Sequence, residues 1–173
     1  FNITKFKWIF EGGDSNQHSI RNGLWGLRDA GCDENDIILV HDGVRPLVSE
    51  RIISENIEKC QKYGYAITGM ICKEAIMQKV DDCVKNIDIP RERLVRTQTP
   101  HTYLLHTLLK AHEEADSKGI DGTVASCTLM AELGIEDQHL VMGSEKNGLK
   151  LTQTEDVELF KALKPTTKDE GLK

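Results

Sequence analysis

The stretch Ile-Ile-Leu-Val-His-Asp-Gly-Val-Arg-Pro, residues 37–46, decides the fold class. Its first four residues are apolar and mostly β-branched, which is typical of a strand that is buried on both faces of a sheet. A polar turn follows at once, with His41, which we interpret as structural, and Asp42. A buried strand that ends in such a turn predicts an open α/β sheet, in which ligands bind beyond the carboxyl ends of the strands.

Helical and extended patterns alternate on either side of this stretch. Residues 19–30 have apolar side chains at helical spacing, and a second helix is predicted from the N-cap Ser49 to Gly64. Residues 6–10 and 66–72 have the pattern of strands. This alternation predicts βαβ units and a mostly parallel sheet.

One segment breaks the alternation. Residues 66–98 contain several short extended stretches around the acidic turn at Asp81 and Asp82, and no helical pattern. We therefore expect a β-arm at about residues 70–98, or an antiparallel extension of the sheet. The charged tail after Pro165 is expected to be frayed.

Composition bounds the class of protein. The chain has 173 residues, with 22 Lys plus Arg, 28 Asp plus Glu and a net charge of −6. It has the size of one domain, and it lacks the basic character of proteins that bind nucleic acid over a broad surface. No apolar run reaches the roughly 20 residues that span a bilayer. Five widely spaced cysteines favour free thiols and a cytoplasmic protein.

Three predicted strand ends have residues that suit a nucleotide or a phosphate. Gly13, Asp14 and Ser19 could approach and read a base, or they form a plain turn in which Ser19 caps the helix. Asp42 suits a Mg²⁺ ligand because hard cations prefer oxygen. Arg45 suits a phosphate, because its planar guanidinium group can donate two hydrogen bonds. Alternatively, Asp42 and Arg45 form an ion pair that stabilises the turn.

Further cations lie later in the chain. Lys150 lies in a short predicted strand, residues 149–151, just before a predicted helix. It could reach a phosphate, although a solvated surface lysine gives the same pattern. Arg91, Arg93 and Arg96 form a basic cluster near Pro90, which would either bind a phosphate or remain solvated. On the residues alone, the chain is an α/β domain with candidate phosphate and Mg²⁺ sites.

Taken in order, these segments resemble the CTP-dependent polyol-phosphate cytidylyltransferases, whose members make CDP-methylerythritol or CDP-ribitol. The resemblance covers about residues 6–163. Its most specific motifs are His41-Asp42-x-x-Arg45-Pro46 and Gln98-Thr99-Pro100, and it also includes Gly12-Gly13-Asp14, Ile89-Pro90-Arg91 and Asn147-Gly148-Leu149-Lys150. Residues 51–57 are more similar to the ribitol-phosphate branch.

This resemblance implies a Rossmann-like three-layer α/β/α nucleotidyltransferase fold and transfer of a cytidylyl group from CTP to a polyol phosphate, without a covalent intermediate. The roles that it implies are nucleotide binding by Gly13, Asp14, Ser19 and Gly43, catalysis by Asp42, Arg45 and Lys150, and binding of the acceptor phosphate in a partner subunit by Arg91. Asp42 would hold the Mg²⁺ ion. A homodimer with exchanged β-arms is also implied.

The family has a glycine-rich, basic N-terminal loop that cradles the triphosphate, and this sequence, which opens with Phe1 rather than Met, has no counterpart of it. We therefore expect residues 1–164 to be a cytidylyltransferase domain without its N-terminal βα unit, followed by a tail at residues 165–173. A hydroxyl that is usual on the arm is replaced by Ala75, and a usual glutamine by His101. Two alternatives stay open: a non-catalytic dimeric binding subunit, and a nucleotidyltransferase for another nucleoside triphosphate and a sugar phosphate.

Overall fold

A computed structural model of the chain describes residues 4–163. In chain order the elements are α1 (Asn16–Asp29), β1 (Ile37–Val40), α2 (Glu50–Tyr63), β2 (Tyr65–Ile71), β3 (Met77–Val80), β4 (Cys83–Asn86), a short 3₁₀ helix (Arg91–Arg93), β5 (Val95–Leu104), α3 (Leu105–Lys118), α4 (Ser126–Glu132), β6 (His139–Met142) and α5 (Thr154–Leu163). No helix in this part of the chain is long and apolar enough to cross a membrane.

The main sheet has four strands in the order β1-β5-β2-β6. β5 is antiparallel to both β1 and β2, and β2 is parallel to β6. Three strands therefore run in one direction, while β5 lies between two of them and runs in the other. The predicted α/β class is confirmed, and the sheet is mixed because the segment before β5 reverses the chain.

Alternating side chains of β5 pack on opposite faces of the sheet. Tyr103 pairs with Ile38 of β1 and packs with Leu24, Leu108 and Met130, which come from α1, α3 and α4. The opposite face is covered by α2. The three layers of the expected fold are therefore helices, sheet and helix.

A buried hydrogen-bond network fixes α2 against the sheet. Asn56 donates to the hydroxyl of Thr68 over 2.8 Å, and Thr68 donates to the carbonyl of Pro100 over 2.9 Å. Thr102 donates to the carbonyl oxygen of the Asn56 side chain over 3.2 Å. Because buried polar groups are stable only when they are paired, this network specifies how α2, β2 and β5 dock.

Local sequence explains where the first two helices begin and end. Ser49 caps α2 by accepting from the backbone of Ile52, and Gly64 ends the helix with a positive φ of 87°. The cap of α1 is Ser15, which accepts from the backbone of His18, so the prediction that the helix starts at Ser19 was wrong by three residues. Either serine matches the sequence pattern of a cap, and only the structure distinguishes them.

Strands β3 and β4 form a separate two-stranded sheet that extends from the domain as the β-arm. A hydrogen bond of 2.9 Å from the backbone of Cys72 to the carbonyl of Leu94 closes its base. The predicted arm, about residues 70–98, is longer than the observed one, because Met70 and Arg96 still pair in the main sheet.

Residues 6–10 do not form the predicted buried strand. Phe6 and Ile9 are 60% and 81% exposed, and the segment is not part of either sheet. An extended segment becomes a strand only when its backbone groups pair with a neighbour, and none of residues 4–163 supplies that neighbour. The predicted tail, residues 165–173, lies outside the described residues.

Candidate active site

Three charged side chains meet just beyond the end of β1. The guanidinium Nε of Arg45 lies 3.0 Å from Oδ2 of Asp42, and Nζ of Lys150 lies 3.4 Å from the same oxygen. Arg45 also donates to the carbonyl oxygen of Gly148. The structure thus brings together the two sequence segments that were predicted to provide Asp42, Arg45 and Lys150.

The turn after β1 is held by its own backbone and by β5. The backbone N–H of Arg45 donates to the carbonyl of Asp42 over 2.9 Å, and the N–H of Asp42 donates to the hydroxyl of Thr99 over 3.0 Å. The ring nitrogens of His41 lie 3.0 Å from the Arg45 carbonyl and 3.1 Å from the Thr99 hydroxyl. His41 therefore braces the turn, in keeping with the structural role predicted for it.

A second loop, residues 144–151, docks on this turn and carries Lys150. Its backbone at Leu151 donates to the carbonyl of Val44 over 2.8 Å, and Asn147 donates to the carbonyl of Leu47 over 2.8 Å. The predicted strand at 149–151 is absent from the structure. These loop contacts, rather than a strand, position Lys150.

Electrostatics keep the Asp42 carboxylate ionised. Its partial burial opposes ionisation, but the hydrogen bond from Arg45 and the positive charges of Lys150 and Arg45 outweigh burial and lower the pKa of Asp42. Two positive charges and one negative charge leave this cluster with a net charge of +1. A surplus positive charge at a strand end suits an anionic ligand.

The cluster faces a cleft of about 510 Å³. Its walls include Asp42, Gly43, Arg45 and Lys150, together with Asn16 and Ser126. Arg45 is the least exposed of the three charged side chains at 13%, and Lys150 is the most exposed at 47%. The lysine therefore lies at the solvent-exposed side of the cluster, and the arginine at its buried side.

The glycine-rich loop before α1 lies at the edge of this site, and its predicted residues do not line the cleft. Ser19 accepts from the backbone of Gly13 over 3.0 Å and donates to the carbonyl of Ser15 over 2.9 Å, so its hydroxyl folds its own loop. Gly13 is required there, because an added Cβ would lie 2.3 Å from His18. Asp14 is exposed.

Arg91 is not part of the cleft within one chain. It lies on the arm, where it donates to the carbonyl of Lys73 over 3.4 Å and lines a separate cavity of about 550 Å³. Arg96 pairs instead with Glu145. The predicted basic cluster of three arginines therefore does not converge on a single ligand.

Two buried polar residues of the cleft have no site role in the sequence predictions, although His101 is noted there as a replacement for a usual glutamine. His101 and Ser126 are each only 2% exposed, and both line it. Burial lowers the pKa of His101 to about 4, so its ring is neutral at physiological pH. One signal in the sequence could have identified His101: it is a polar residue in a strand pattern, at a position where an apolar residue would pack equally well.

An open α/β sheet with a cationic cleft at its strand ends defines an α/β protein that binds an anionic ligand. The family model described as 2-C-methyl-D-erythritol 4-phosphate cytidylyltransferase matches residues 4–164. The chain therefore belongs to that family. This confirms the family and the class of enzyme that the sequence motifs predicted, a cytidylyltransferase.

Curated relatives and solved structures agree with this assignment. Ribitol-5-phosphate cytidylyltransferase of Lacticaseibacillus paracasei is 43% identical over 165 residues, which are 94% of this chain and 69% of the relative. 2-C-Methyl-D-erythritol 4-phosphate cytidylyltransferase of Clostridium acetobutylicum is 35% identical over 157 residues, 91% of this chain and 65% of the relative. The crystal structure of the 2-C-methyl-D-erythritol 4-phosphate cytidylyltransferase of Thermus thermophilus has a TM-score of 0.74 at 28% identity, and covers 90% of this chain and 72% of that one.

Proposed function

We propose that this chain contains the catalytic cations, the base-binding loop and the dimerisation arm of a cytidylyltransferase whose acceptor is ribitol 5-phosphate. The reaction is placed in this cleft because Asp42, Arg45 and Lys150 meet there. Two ribitol-5-phosphate cytidylyltransferases, from Lacticaseibacillus paracasei and Vibrio parahaemolyticus, are 43% and 36% identical to this chain, and their names supply the acceptor.

In the proposed reaction, a phosphate oxygen of the acceptor attacks the α-phosphorus of CTP. The bond between the α-phosphorus and the oxygen that bridges to the β-phosphorus breaks, and pyrophosphate leaves. Charge accumulates on the phosphoryl oxygens in the transition state, so positioning and charge stabilisation provide the rate enhancement. Arg45, held by Asp42 and the Gly148 carbonyl, is a fixed cation, while the more exposed Lys150 follows the phosphate as it reacts.

Asp42 is the residue that would hold a divalent cation. The members of this family are nucleotidyltransferases that generally depend on one, and a single ionised carboxylate fits Mg²⁺, which is often bound by one or two carboxylates and the substrate phosphates. When bound, the ion would neutralise phosphate charge at the reacting centre. The carboxylate also orients Arg45, so it has a role in both the free and the loaded site.

Two further roles belong to the same proposal. Gly13, Asp14, Ser19 and Gly43 would surround the nucleoside of CTP. This role is supported by Gly43, which lines the cleft, and by Asn16, which lines it directly after the loop that contains the other three residues. Arg91 would bind the acceptor phosphate in the partner subunit of a homodimer, supported by its place on an arm with exposed apolar side chains.

We also propose that a βα unit outside this sequence completes the domain next to β1. β1 is an edge strand, and a largely apolar cavity of about 340 Å³ lies beside it, lined by residues that include Trp8, Leu24, Ile38 and Val40. In the full-length protein, all four amides of residues 37–40 are expected to exchange slowly with solvent, because both edges of β1 are paired. Fast exchange at alternate amides, as in a strand that pairs with β5 alone, would contradict a second neighbour.

The acceptor is tested by pyrophosphate release from CTP by the full-length protein. We expect kcat/KM to be at least about tenfold higher with ribitol 5-phosphate than with methylerythritol 4-phosphate or glycerol phosphate. The opposite ranking would favour methylerythritol phosphate, the second candidate, which is supported by the family description and by the relative from Clostridium acetobutylicum. No pyrophosphate from CTP with any acceptor would exclude the proposed function.

A further inference from the structure

Three buried polar atoms of residues that line the cleft have no hydrogen-bond partner within the described chain. Oε1 of Gln98 lies against the backbone at Gly143 and Gly148, where an added Cβ would meet it. The other two atoms are Nε2 of His101 and Oγ of Ser126. Both residues are only 2% exposed, and both line the cleft that contains Asp42, Arg45 and Lys150. Buried polar atoms are nearly always satisfied in folded proteins, so each of them indicates a missing partner in the cleft.

Rigid elements hold both side chains in place. His101 lies in β5, directly opposite Val40 of β1. Ser126 begins α4, and the segment before it is tied to α1, because the side-chain oxygen of Gln17 accepts from the backbone and the hydroxyl of Thr123 over 2.9 and 2.8 Å. Both side chains therefore lose little conformational freedom when a ligand binds, which is the arrangement expected of binding residues.

The chemistry of the two atoms selects the kind of ligand. The His101 ring is neutral, so Nε2 carries either a lone pair or an N–H, according to the tautomer. The Ser126 hydroxyl both accepts and donates. A hydroxyl group both donates and accepts, so a carbon chain with several hydroxyl groups satisfies both atoms in either tautomer, whereas an unprotonated phosphate satisfies Nε2 in only one of them. The cations Arg45 and Lys150 then remain available for phosphate.

We propose that His101 and Ser126 bind the hydroxyl groups of a phosphorylated substrate in this cleft and so determine specificity for a hydroxylated carbon chain. This inference rests on the proposed cytidylyl transfer. Two sources have that chemistry: the polyol chain of the acceptor and the ribose of CTP. They differ in which substrate loses affinity when the two residues are changed.

The test compares Ser126→Ala and His101→Phe with wild-type full-length protein, using KM from pyrophosphate release and Kd from calorimetry for CTP and for ribitol 5-phosphate separately. Loss of one neutral hydrogen bond is expected to raise the constants for one substrate about fivefold in Ser126→Ala. The melting temperature of this variant should be unchanged or higher, because the hydroxyl has no protein partner to lose and alanine is the better helix former. A purely structural serine would instead lower the melting temperature and leave the constants unchanged.

Matched controls are available elsewhere in the chain. Ser117→Ala removes an exposed hydroxyl on α3. His112→Phe replaces another buried histidine, whose two ring nitrogens also lack partners within the described residues but which does not line this cleft. Neither control should change KM or Kd. An effect on ribitol 5-phosphate would identify the acceptor chain as the source, and an effect on CTP would identify the ribose.

The two proposals fail in different ways. Wild-type turnover with constants that stay within twofold in Ser126→Ala and His101→Phe overturns the inference and leaves the function intact. Weakened binding of ribitol 5-phosphate or CTP in the variants, without any turnover in the wild type, contradicts the function and supports the hydroxyl site.

Discussion

Asp42 joins two roles that depend on the same negative charge. Its Oδ2 lies within 3.4 Å of both Lys150 and Arg45, so it keeps two cations close together that would otherwise repel each other. The same carboxylate is the proposed ligand for a divalent cation. A neutral side chain of the same shape separates charge from packing and is therefore the most informative substitution at this position.

Asp42→Asn is expected to reduce turnover by roughly a hundredfold or more, because the charge that organises the phosphate cations is lost. The free energy of unfolding should fall by no more than about 2 kcal/mol, since the partly exposed cluster lies between a surface ion pair and a buried one. Steady-state kinetics and urea unfolding measure the two effects. Asp29→Asn is the control, because Asp29 is an exposed carboxylate beside Arg28. If the turnover of Asp42→Asn were within a few-fold of wild type, the only role of Asp42 would be to stabilise the turn.

The same substitution has a predictable pH dependence. Because the pKa of Asp42 is lowered from 3.8 in the folded protein, its charge stabilises the fold above that pH, and this stabilisation is lost as the pH falls through the lowered value. The difference in unfolding free energy between wild type and Asp42→Asn should therefore be constant from pH 5 to 7 and shrink below pH 4. Urea titrations at pH 7, 5, 4 and 3.5 check it, and a difference that grows on acidification would contradict the ion-pair model.

At the scale of elements, the sequence predicted what local chemistry controls. The apolar run before His41 predicts β1, the cap Ser49 and the stop at Gly64 predict α2, and the polar residues after β1 predict where a charged site lies. Each of these depends on residues within a few positions of one another. The confirmed family follows from motifs whose order along the chain is preserved.

What the sequence could not predict depends on distant contacts. The direction of β5 is fixed by its pairing with β1 and β2, and residues 6–10 lack a neighbour to pair with among the described residues. The unpartnered atoms of His101 and Ser126 are brought to one cleft by the sheet and by α4, which no local pattern encodes. The predicted strand at 149–151 failed because contacts with Val44 and Leu47, about 100 residues earlier, determine that loop.

Gly148 is the tightest point of the loop that carries Lys150. A Cβ at this position would lie 1.9 Å from Nε2 of Gln98, a side chain that is itself buried. Gly148→Ala is therefore expected to lower the free energy of unfolding by about 1–3 kcal/mol through overpacking. A shift of the loop in this variant would also displace Lys150 and the Gly148 carbonyl that holds Arg45, so kcat/KM should fall by about a hundredfold.

Gly23→Ala is the matched control for this glycine. It lies inside α1, and an added Cβ meets no atom of the described residues within 4 Å, so it should stabilise the protein by about 0.5–1 kcal/mol. Thermal unfolding and kinetics of both variants compare steric with conformational effects. If Gly148→Ala behaved like Gly23→Ala, the loop would not be held by its contact with Gln98.

At the scale of the whole molecule, the β-arm leaves apolar surface without cover. Ile76, Met77, Val84 and Ile89 lie on it and are each between 44% and 64% exposed. Contiguous exposed apolar side chains often mark an interface. A second copy that covers this arm would also bring Arg91 to a cleft that it does not reach within its own chain, as the proposed homodimer requires.

Mixing two inactive variants tests this arrangement directly. In a two-fold dimer with exchanged arms, a subunit with Asp42→Ala keeps its Arg91 for the partner, and a subunit with Arg91→Ala keeps its own Asp42. Random reassembly of equal amounts should therefore restore about a quarter of wild-type activity, because half of the dimers are mixed and each mixed dimer has one complete site. Either variant alone should remain inactive, and Arg93→Ala, a neighbouring arginine on the same 3₁₀ helix, controls for the loss of charge on the arm. If Arg91 acted within its own chain, no combination of these subunits would contain a complete site, and the mixture would be as inactive as its parts.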